Sequence, residues 1–232
     1  MAEILMFSSG MDSLIMKIIF GYTDRECLFV DMGTNENMQE AKIIDQYFPE
    51  VKRHYLPLAR FELHNKIIPF RNQILCYIGA QYGSQISFAF TAGDTTRDKD
   101  FVFKAQMEGS LNYFCGIPEK SPFPGEVYSI NIPFKTITKS EMLKMYIDKG
   151  HDVDYLLSRS VSCYEGKEKQ CGGCRSCLRK FVALVLNEVE WRGVFVKNPA
   201  DRIQSFYEES KRKNRSNKEI KEIERCINIL KH

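Results

Sequence analysis

Glu3-Ile4-Leu5-Met6-Phe7-Ser8-Ser9-Gly10-Met11-Asp12-Ser13-Leu14-Ile15-Met16-Lys17-Ile18-Ile19-Phe20-Gly21 is the stretch that decides the fold. An apolar run of strand length stops at small residues. The apolar positions beyond them recur at spacings of three and four, so a buried strand gives way to a helix. Small side chains from Ser8 to Ser13 let the backbone approach an anion, and successive amides open onto the helix N-terminus. The hydroxyls of Ser8, Ser9 and Ser13 are further donors, and Asp12 can cap the helix or help hold a magnesium ion beside phosphates. An ordinary strand-to-helix turn has the same letters, and these residues alone leave both readings open. The Gly-Lys-Ser/Thr ending of a Walker-type loop is absent, which argues against a kinase or GTPase.

The alternation continues outward. Glu26 to Asp31, Val51 to Leu56, Ile86 to Ala92 and Val127 to Ile132 read as strands. Segments 36–48, 70–83 and roughly 101–114 carry helical spacing, so the expected architecture is α/β, a doubly wound, mostly parallel sheet. Thr138-Lys139-Ser140-Glu141 is a capping box that predicts a helix over 139–149. A helix is also expected over Leu178 to Glu190, and Ser216-Asn217-Lys218-Glu219 reads as a second capping box before Ile220, Ile223, Ile227 and Leu230. The run Ser210 to Lys218, rich in Lys, Arg and Asn, reads as a solvated face. The expected organisation is a nucleotide-binding α/β unit over 1–135, a helix and cysteine knuckle over 136–190, and a helical extension over 191–232.

Composition narrows the class. Of 232 residues, 44% are hydrophobic and 27% charged, and no segment offers the roughly 18 consecutive apolar residues of a membrane span. No basic stretch precedes Ile4 to Phe7 and no small-residue cleavage site follows it, so a cytoplasmic setting is expected. The 33 basic and 30 acidic side chains nearly balance, and charge alone neither requires nor excludes a nucleic-acid partner.

Four of the eight cysteines, Cys163, Cys171, Cys174 and Cys177, fall within fifteen residues. Gly172 and Gly173 free the turn between them, and this C-x7-C-x2-C-x2-C spacing suits four thiolates on one tetrahedral zinc ion with no open position, a structural site. An iron–sulfur cluster is the competing ligation. Cys27, Cys76, Cys115 and Cys226 read as buried small hydrophobes, with a sulfur-carrier role as the alternative.

The hexapeptide Ser8-Ser9-Gly10-Met11-Asp12-Ser13 resembles the Ser-Gly-Gly-x-Asp-Ser signature of the PP-loop ATP pyrophosphatases, which cleave ATP to AMP and pyrophosphate. Ser9 departs from the usual glycine; a positive φ there would strain a serine by about 1 kcal/mol. Ser162-Cys163-Tyr164-Glu165-Gly166 and Cys171-Gly172-Gly173-Cys174-Arg175-Ser176-Cys177 resemble the C-terminal motif of the 7-cyano-7-deazaguanine synthase family. Asp31-Met32-Gly33 with Glu40 and Ala41, Pro69-x-Arg71-Asn72, Ile132-Pro133, Lys139 and Glu141 extend that similarity over residues 4 to 185.

The resemblance implies a PP-loop fold and adenylation of a 7-carboxy-7-deazaguanine carboxylate, then reaction with ammonia and a second activation to the nitrile. It implies ATP and magnesium at Ser8, Ser9, Gly10, Met11, Asp12, Ser13, Asp31, Gly33 and Gly93, and catalytic roles for Asp12, Ser13, Arg71 and Lys139. Arg71, Asn72 and Asp98 fall to the substrate, Cys163, Cys171, Cys174 and Cys177 to zinc, and the assembly is expected to be a homodimer. Taken alone, Arg71 reads equally as a solvated arginine, Asn72 as a cap and Lys139 as a surface lysine. The family's Tyr-Pro-Asp-Cys-Arg stretch is missing after Asp98, and Lys180, with Arg179 beside it, stands where an arginine is usual. These departures leave two alternatives: use of the activated deazaguanine to modify a protein or nucleic acid, or tRNA thiolation or ligation. A non-catalytic nucleotide-binding module would have eroded Asp12 and Ser13, which are intact.

Overall fold

In the computed structural model, which describes residues 2–64, 66–115, 118–165, 169–213 and 215–231, five parallel strands form one sheet. They are β1 (Glu3–Met6), β2 (Cys27–Asp31), β3 (Lys52–Tyr55), β4 (Gln85–Ser87) and β5 (Ser129–Asn131), ordered β3-β2-β1-β4-β5. The connections β1–β2–β3 run one way from β1 and the return to β4 and β5 runs the other. A topological switch point therefore lies between the carboxyl ends of β1 and β4, where doubly wound sheets bind ligands.

Side chains alternate across a strand, and a parallel sheet is covered on both faces. Leu5 and Phe7 accordingly face a core built with α1 (Met11–Phe20), α2 (Asn35–Tyr47) and α5 (Lys139–Asp148), around Leu14, Ile44 and Met142. Ile4 and Met6 face the opposite core, built with α3 (Arg71–Gly79) and α4 (Phe101–Cys115), around Cys76, Phe103 and Leu111. A short α6 (Val153–Ser158) seats Leu156 in the first core.

Helix α7 (Arg175–Leu186) serves two clusters. Ala183 and Leu184 reach the first core, while Leu178, Phe181, Val182 and Val185 pack against α8 (Ala200–Arg212) and α9 (Asn217–Ile229). It begins at Arg175, inside the cysteine motif, and ends at Leu186, a register three to four residues earlier than the spacing predicts.

All five strands occur where the sequence places them, with β4 shorter than 86–92. Phe88 to Ala92 leave the sheet and run into the switch-point loop. The Ser210–Lys218 face is a correction. Lys211, Arg212 and Lys213 are exposed and Asn214 lies outside the described residues, but Ser210 and Arg215 are buried, with the Arg215 guanidinium over the Phe206 ring. The charges on α8 mask an apolar stripe, Ile203 and Phe206, at helical spacing. No described helix is long and apolar enough to cross a membrane.

Candidate active site

The loop at the carboxyl end of β1 is short: β1 ends at Met6 and α1 begins at Met11. Ser9 carries φ 50 and is fully buried, so the strain expected of a serine in the left-handed region is present. Its hydroxyl donates to the Glu40 carbonyl at 3.3 Å. Gly10 stands at the N-cap of α1 without a side chain to cap it, and first-turn amides have no intrahelical acceptor. Neighbouring hydroxyls partly fill that role through long bonds. The Ser8 N–H donates to Ser13 Oγ at 3.3 Å, Gly10 N–H to Ser8 Oγ at 3.3 Å, and Met11 N–H to Ser162 Oγ at 3.5 Å. A phosphate could replace these weak acceptors with shorter, charge-assisted bonds.

Asp12 does not cap the helix. Its carboxylate oxygen lies 2.5 Å from Lys139 Nζ at the start of α5, with the lysine side chain only 8% exposed. The surface reading of Lys139 is therefore excluded, although the capping box that starts its helix forms as expected. Thr138 Oγ1 accepts the Glu141 N–H at 3.1 Å, and the Glu141 carboxylate accepts the Thr138 N–H at 2.7 Å.

Beyond β2, Asp31 accepts the N–H of Gly33, which adopts a positive φ, at 2.9 Å. Thr34 caps α2 through the Asn37 N–H at 3.2 Å, and Asn37 donates to the Glu40 carboxylate at 2.6 Å. Burial pushes Glu40 well above the usual carboxylate range, helped by the Glu36 charge. Burial raises Glu36 too, and the Arg71 guanidinium opposes both shifts. Arg71 thus lies beside a pair of acids that sequence reasoning did not connect to it. Asn72 is 2% exposed and is no cap: its amide donates to the Asp98 carboxylate at 2.8 Å and to the Asp98 carbonyl at 3.1 Å. Two residues implied for the substrate are joined.

Gly93, implied for the nucleotide, is closely packed by protein and lines a small cavity with Lys139 and Arg179. A Cβ there would lie 2.5 Å from Arg179 Nη2 and 2.6 Å from Glu219 Oε1. Arg179 donates from Nη1 to Asp94 at 3.1 Å, from Nε to Glu219 at 2.6 Å and from Nη2 to Thr91 Oγ1 at 2.8 Å. Burial opposes the charge of Asp94, but Lys99 and Arg179 hold its carboxyl well below the usual range. Lys180 is buried, donates to Ser160 Oγ at 3.3 Å, and is pushed down to about 7 by that burial. Of the two adjacent cations, Arg179 is the one that lines a small cavity with Lys139. Asp94 and Glu219 are the site members that sequence reasoning missed; Arg179 stood out only as the neighbour of Lys180.

Ligand sulfurs of Cys163, Cys171, Cys174 and Cys177 all lie within 4.8 Å of one another, with Cys171 and Cys177 Sγ at 3.9 Å. Zn–S bonds of about 2.3 Å in a tetrahedron require sulfurs about 3.8 Å apart, so one ion fits. Backbone N–H groups of Gly173 and Cys174 point at Cys171 Sγ at 3.3 and 3.2 Å, and that of Cys171 at Cys163 Sγ at 3.2 Å, as thiolates require. The preceding segment touches the phosphate loop: Val161 N–H donates to the Ser9 carbonyl at 3.1 Å. Gly166 lies outside the described residues. Burial raises the thiols of Cys27 and Cys226 to about 12 and that of Cys76 further, which suits packing and not sulfur transfer.

The family model described as "Queuosine biosynthesis protein QueC" matches residues 19–187, more than half of the chain. That match begins after the phosphate loop and ends before α8. A 7-cyano-7-deazaguanine synthase of Methanosphaera stadtmanae is 27% identical over 113 residues, 49% of this chain and 47% of that one. A protein of the same name from Thermoplasma acidophilum is 27% identical over 161 residues, 67% of this chain and 62% of that one. The 7-cyano-7-deazaguanine synthase 1 of Colwellia psychrerythraea is 24% identical over 220 residues, 81% of this chain and 96% of that one. The chain thus spans about half the length of the first relative and under two thirds of the second.

Proposed function

Because this chain belongs to the family of queuosine biosynthesis protein QueC, we propose that it is an ATP-dependent 7-cyano-7-deazaguanine synthase-like ligase, forming AMP and pyrophosphate. The observation that carries this reading is the Lys139–Asp12 pair at the mouth of an uncapped helix, at the switch point of the sheet. Such an arrangement offers amides, a buried cation and a carboxylate to a polyphosphate.

In the proposed reaction a carboxylate oxygen of 7-carboxy-7-deazaguanine attacks the α phosphorus of ATP. The new O–P bond forms as the bond from that phosphorus to the α,β-bridging oxygen breaks, and pyrophosphate leaves. Ammonia then attacks the acyl carbon, AMP departs, and a proton is lost to give the amide; the amide oxygen then attacks the α phosphorus of a second ATP, pyrophosphate leaves, and departure of AMP with loss of the two N–H protons gives the nitrile. The amides of Ser8 to Ser13 hold the phosphates, and Lys139 offsets charge developing around the α phosphorus. Lys139 meets one oxygen of Asp12, and the carboxylate would also help hold a magnesium ion, which would offset phosphate charge. Arg71 offers a cation to the substrate, and the joined Asn72 and Asp98 offer an acceptor for N–H groups of a purine-like edge. The cysteine cluster would hold zinc as a structural ion that braces the segment under Ser9.

A macromolecular acceptor is the second reading. Exposed Phe61, Phe70 and Phe101 stand on the segments that carry Arg71 and Asp98, where a substrate larger than a purine could lie on them.

The test is incubation of zinc-loaded protein with ATP, magnesium, ammonium and 7-carboxy-7-deazaguanine, wild type beside Asp12→Ala. AMP together with an amide or nitrile mass, both lost in the variant, is the expected outcome. ATP binding without AMP or a deazaguanine product would move the chain to another acceptor.

A further inference from the structure

Helix α9 lies wholly beyond the region that the family model matches, yet it enters the site at two points. Glu219 reaches Arg179 at 2.6 Å, and Glu222 accepts a hydrogen bond from Thr138 Oγ1 at 2.5 Å, one residue before Lys139. Lys218 adds a bond to the Thr136 carbonyl at 3.0 Å. Helix α9 is thereby tied to Arg179 of α7, which itself holds Asp94 and Thr91 in the loop after β4, and to the start of α5; these segments line the small cavity that contains Lys139 and Arg179.

The Glu219–Arg179 contact is specific. Glu219 is 6% exposed, one of its oxygens takes Arg179 Nε, and the other takes Arg215 Nη1 at 3.0 Å. A guanidinium has five N–H donors, and those to Glu219, Asp94 and Thr91 account for three. One N–H of each guanidinium nitrogen is engaged, which leaves one donor on Nη1 and one on Nη2. Gly93 completes the arrangement, since a side chain there would strike both members of the pair.

Building on the adenylation reading above, we propose that Glu219 is a positioning residue: it fixes the Arg179 guanidinium so that its remaining donors meet the ATP phosphates beside Lys139. The nucleotide site is then completed by a helix from the C-terminal extension, and Arg179, beside the Lys180 that stands where an arginine is usual, supplies the guanidinium.

Steady-state kinetics for ATP on the full-length, zinc-loaded protein decide this, with four variants: Glu219→Gln, Arg215→Gln, Arg179→Gln and Arg179→Gln/Glu219→Gln. Arg215→Gln removes the same buried Glu219–Arg215 pair without touching the Arg179 contact, and so reports the purely structural cost. The expected result is a fall of about tenfold in kcat/KM for ATP in Glu219→Gln, a change within about twofold in Arg215→Gln despite a similar loss of Tm, and a double variant no worse than Arg179→Gln. Equal kinetic losses in Glu219→Gln and Arg215→Gln, or additive losses in the double variant, would overturn the positioning role. Wild-type protein that forms no AMP overturns the adenylation reading instead; Kd values for ATP by calorimetry, measured on the same proteins, then decide the Glu219–Arg179 coupling separately.

Discussion

Lys139 Nζ and Asp12 Oδ1 meet at 2.5 Å across 127 residues of sequence, joining the first turn of α5 to the first turn of α1. Each charge finds its partner on the other helix, so the pair ties the two helix starts together.

Lys139→Met is therefore expected to act twice. It leaves Asp12 without its cation in a largely buried place, at about 1–3 kcal/mol of stability measured by urea unfolding. It also removes the cation nearest the phosphate loop, so AMP formation falls by a factor on the order of 10²–10³. A variant that is destabilised but turns over at the wild-type rate would relegate Lys139 to a structural role.

Asp98→Ala separates substrate recognition from nucleotide binding. Asn72 loses its 2.8 Å acceptor and keeps only the backbone carbonyl. KM for the deazaguanine carboxylate is expected to rise roughly tenfold, a cost of about 1.4 kcal/mol, with KM for ATP within about twofold. A parallel rise in both constants would show that the loop as a whole had collapsed.

Metal removal reaches the phosphate loop through the Val161–Ser9 backbone bond. Cys174→Ser is expected to drop bound zinc below one equivalent by elemental analysis. Tm should fall by roughly 6–12 °C, corresponding to about 3 kcal/mol in a chain of this size. The affinity for ATP should weaken in step. Full zinc content with an unchanged Tm in the variant would remove Cys174 from the ligand set.

Glu222 gives stability a pH dependence. Burial, opposed by the Thr138 hydrogen bond and aided by the charges of Glu141 and Glu219, raises its carboxyl to about 7. Between its ordinary value near 4.5 and 7 the folded state binds more protons than the unfolded state, so stability declines as pH rises through that window. Glu222→Gln removes this decline. Urea midpoints at pH 5 and pH 7.5 should differ less in the variant than in wild type; an equal difference in both proteins would mean that Glu222 titrates normally.

Two capping boxes show where sequence reading succeeds and where it stops. Thr138-Lys-Ser-Glu141 forms its box because both partners lie within one turn and the Glu141 carboxylate is free to fold back onto Thr138. Ser216-Asn-Lys-Glu219 has an equivalent pattern, yet Ser216 makes no side-chain cap, and the Glu219 carboxylate is engaged by Arg179 and Arg215. Local signals of this kind, together with the strand and helix periodicities and the cysteine spacing, were legible. What was hidden depends on distant residues: Asn72 and Asp98, Arg179 and Asp94, and the burial of Lys180 behind an exposed-looking doublet. Helix α8 lies within the helical extension expected over 191–232 but was not placed there, because its charged residues outnumber the narrow apolar stripe that seats it.

The pairing of Glu219 on α9 with Arg179, which also holds Asp94, has a consequence for the order in which the protein is made. Asp94 leaves the ribosome 125 residues before Glu219, which at synthesis rates of about 5–20 residues per second is a wait of roughly 6–25 s. During that wait the parallel sheet can assemble through β5, and Arg179 can join Asp94, but Arg179 has no second acid. Glu219 is translated after Thr91, Asp94 and Arg179, so a nascent chain that has not reached it carries the sheet and the loop after β1 without the Arg179–Glu219 pair.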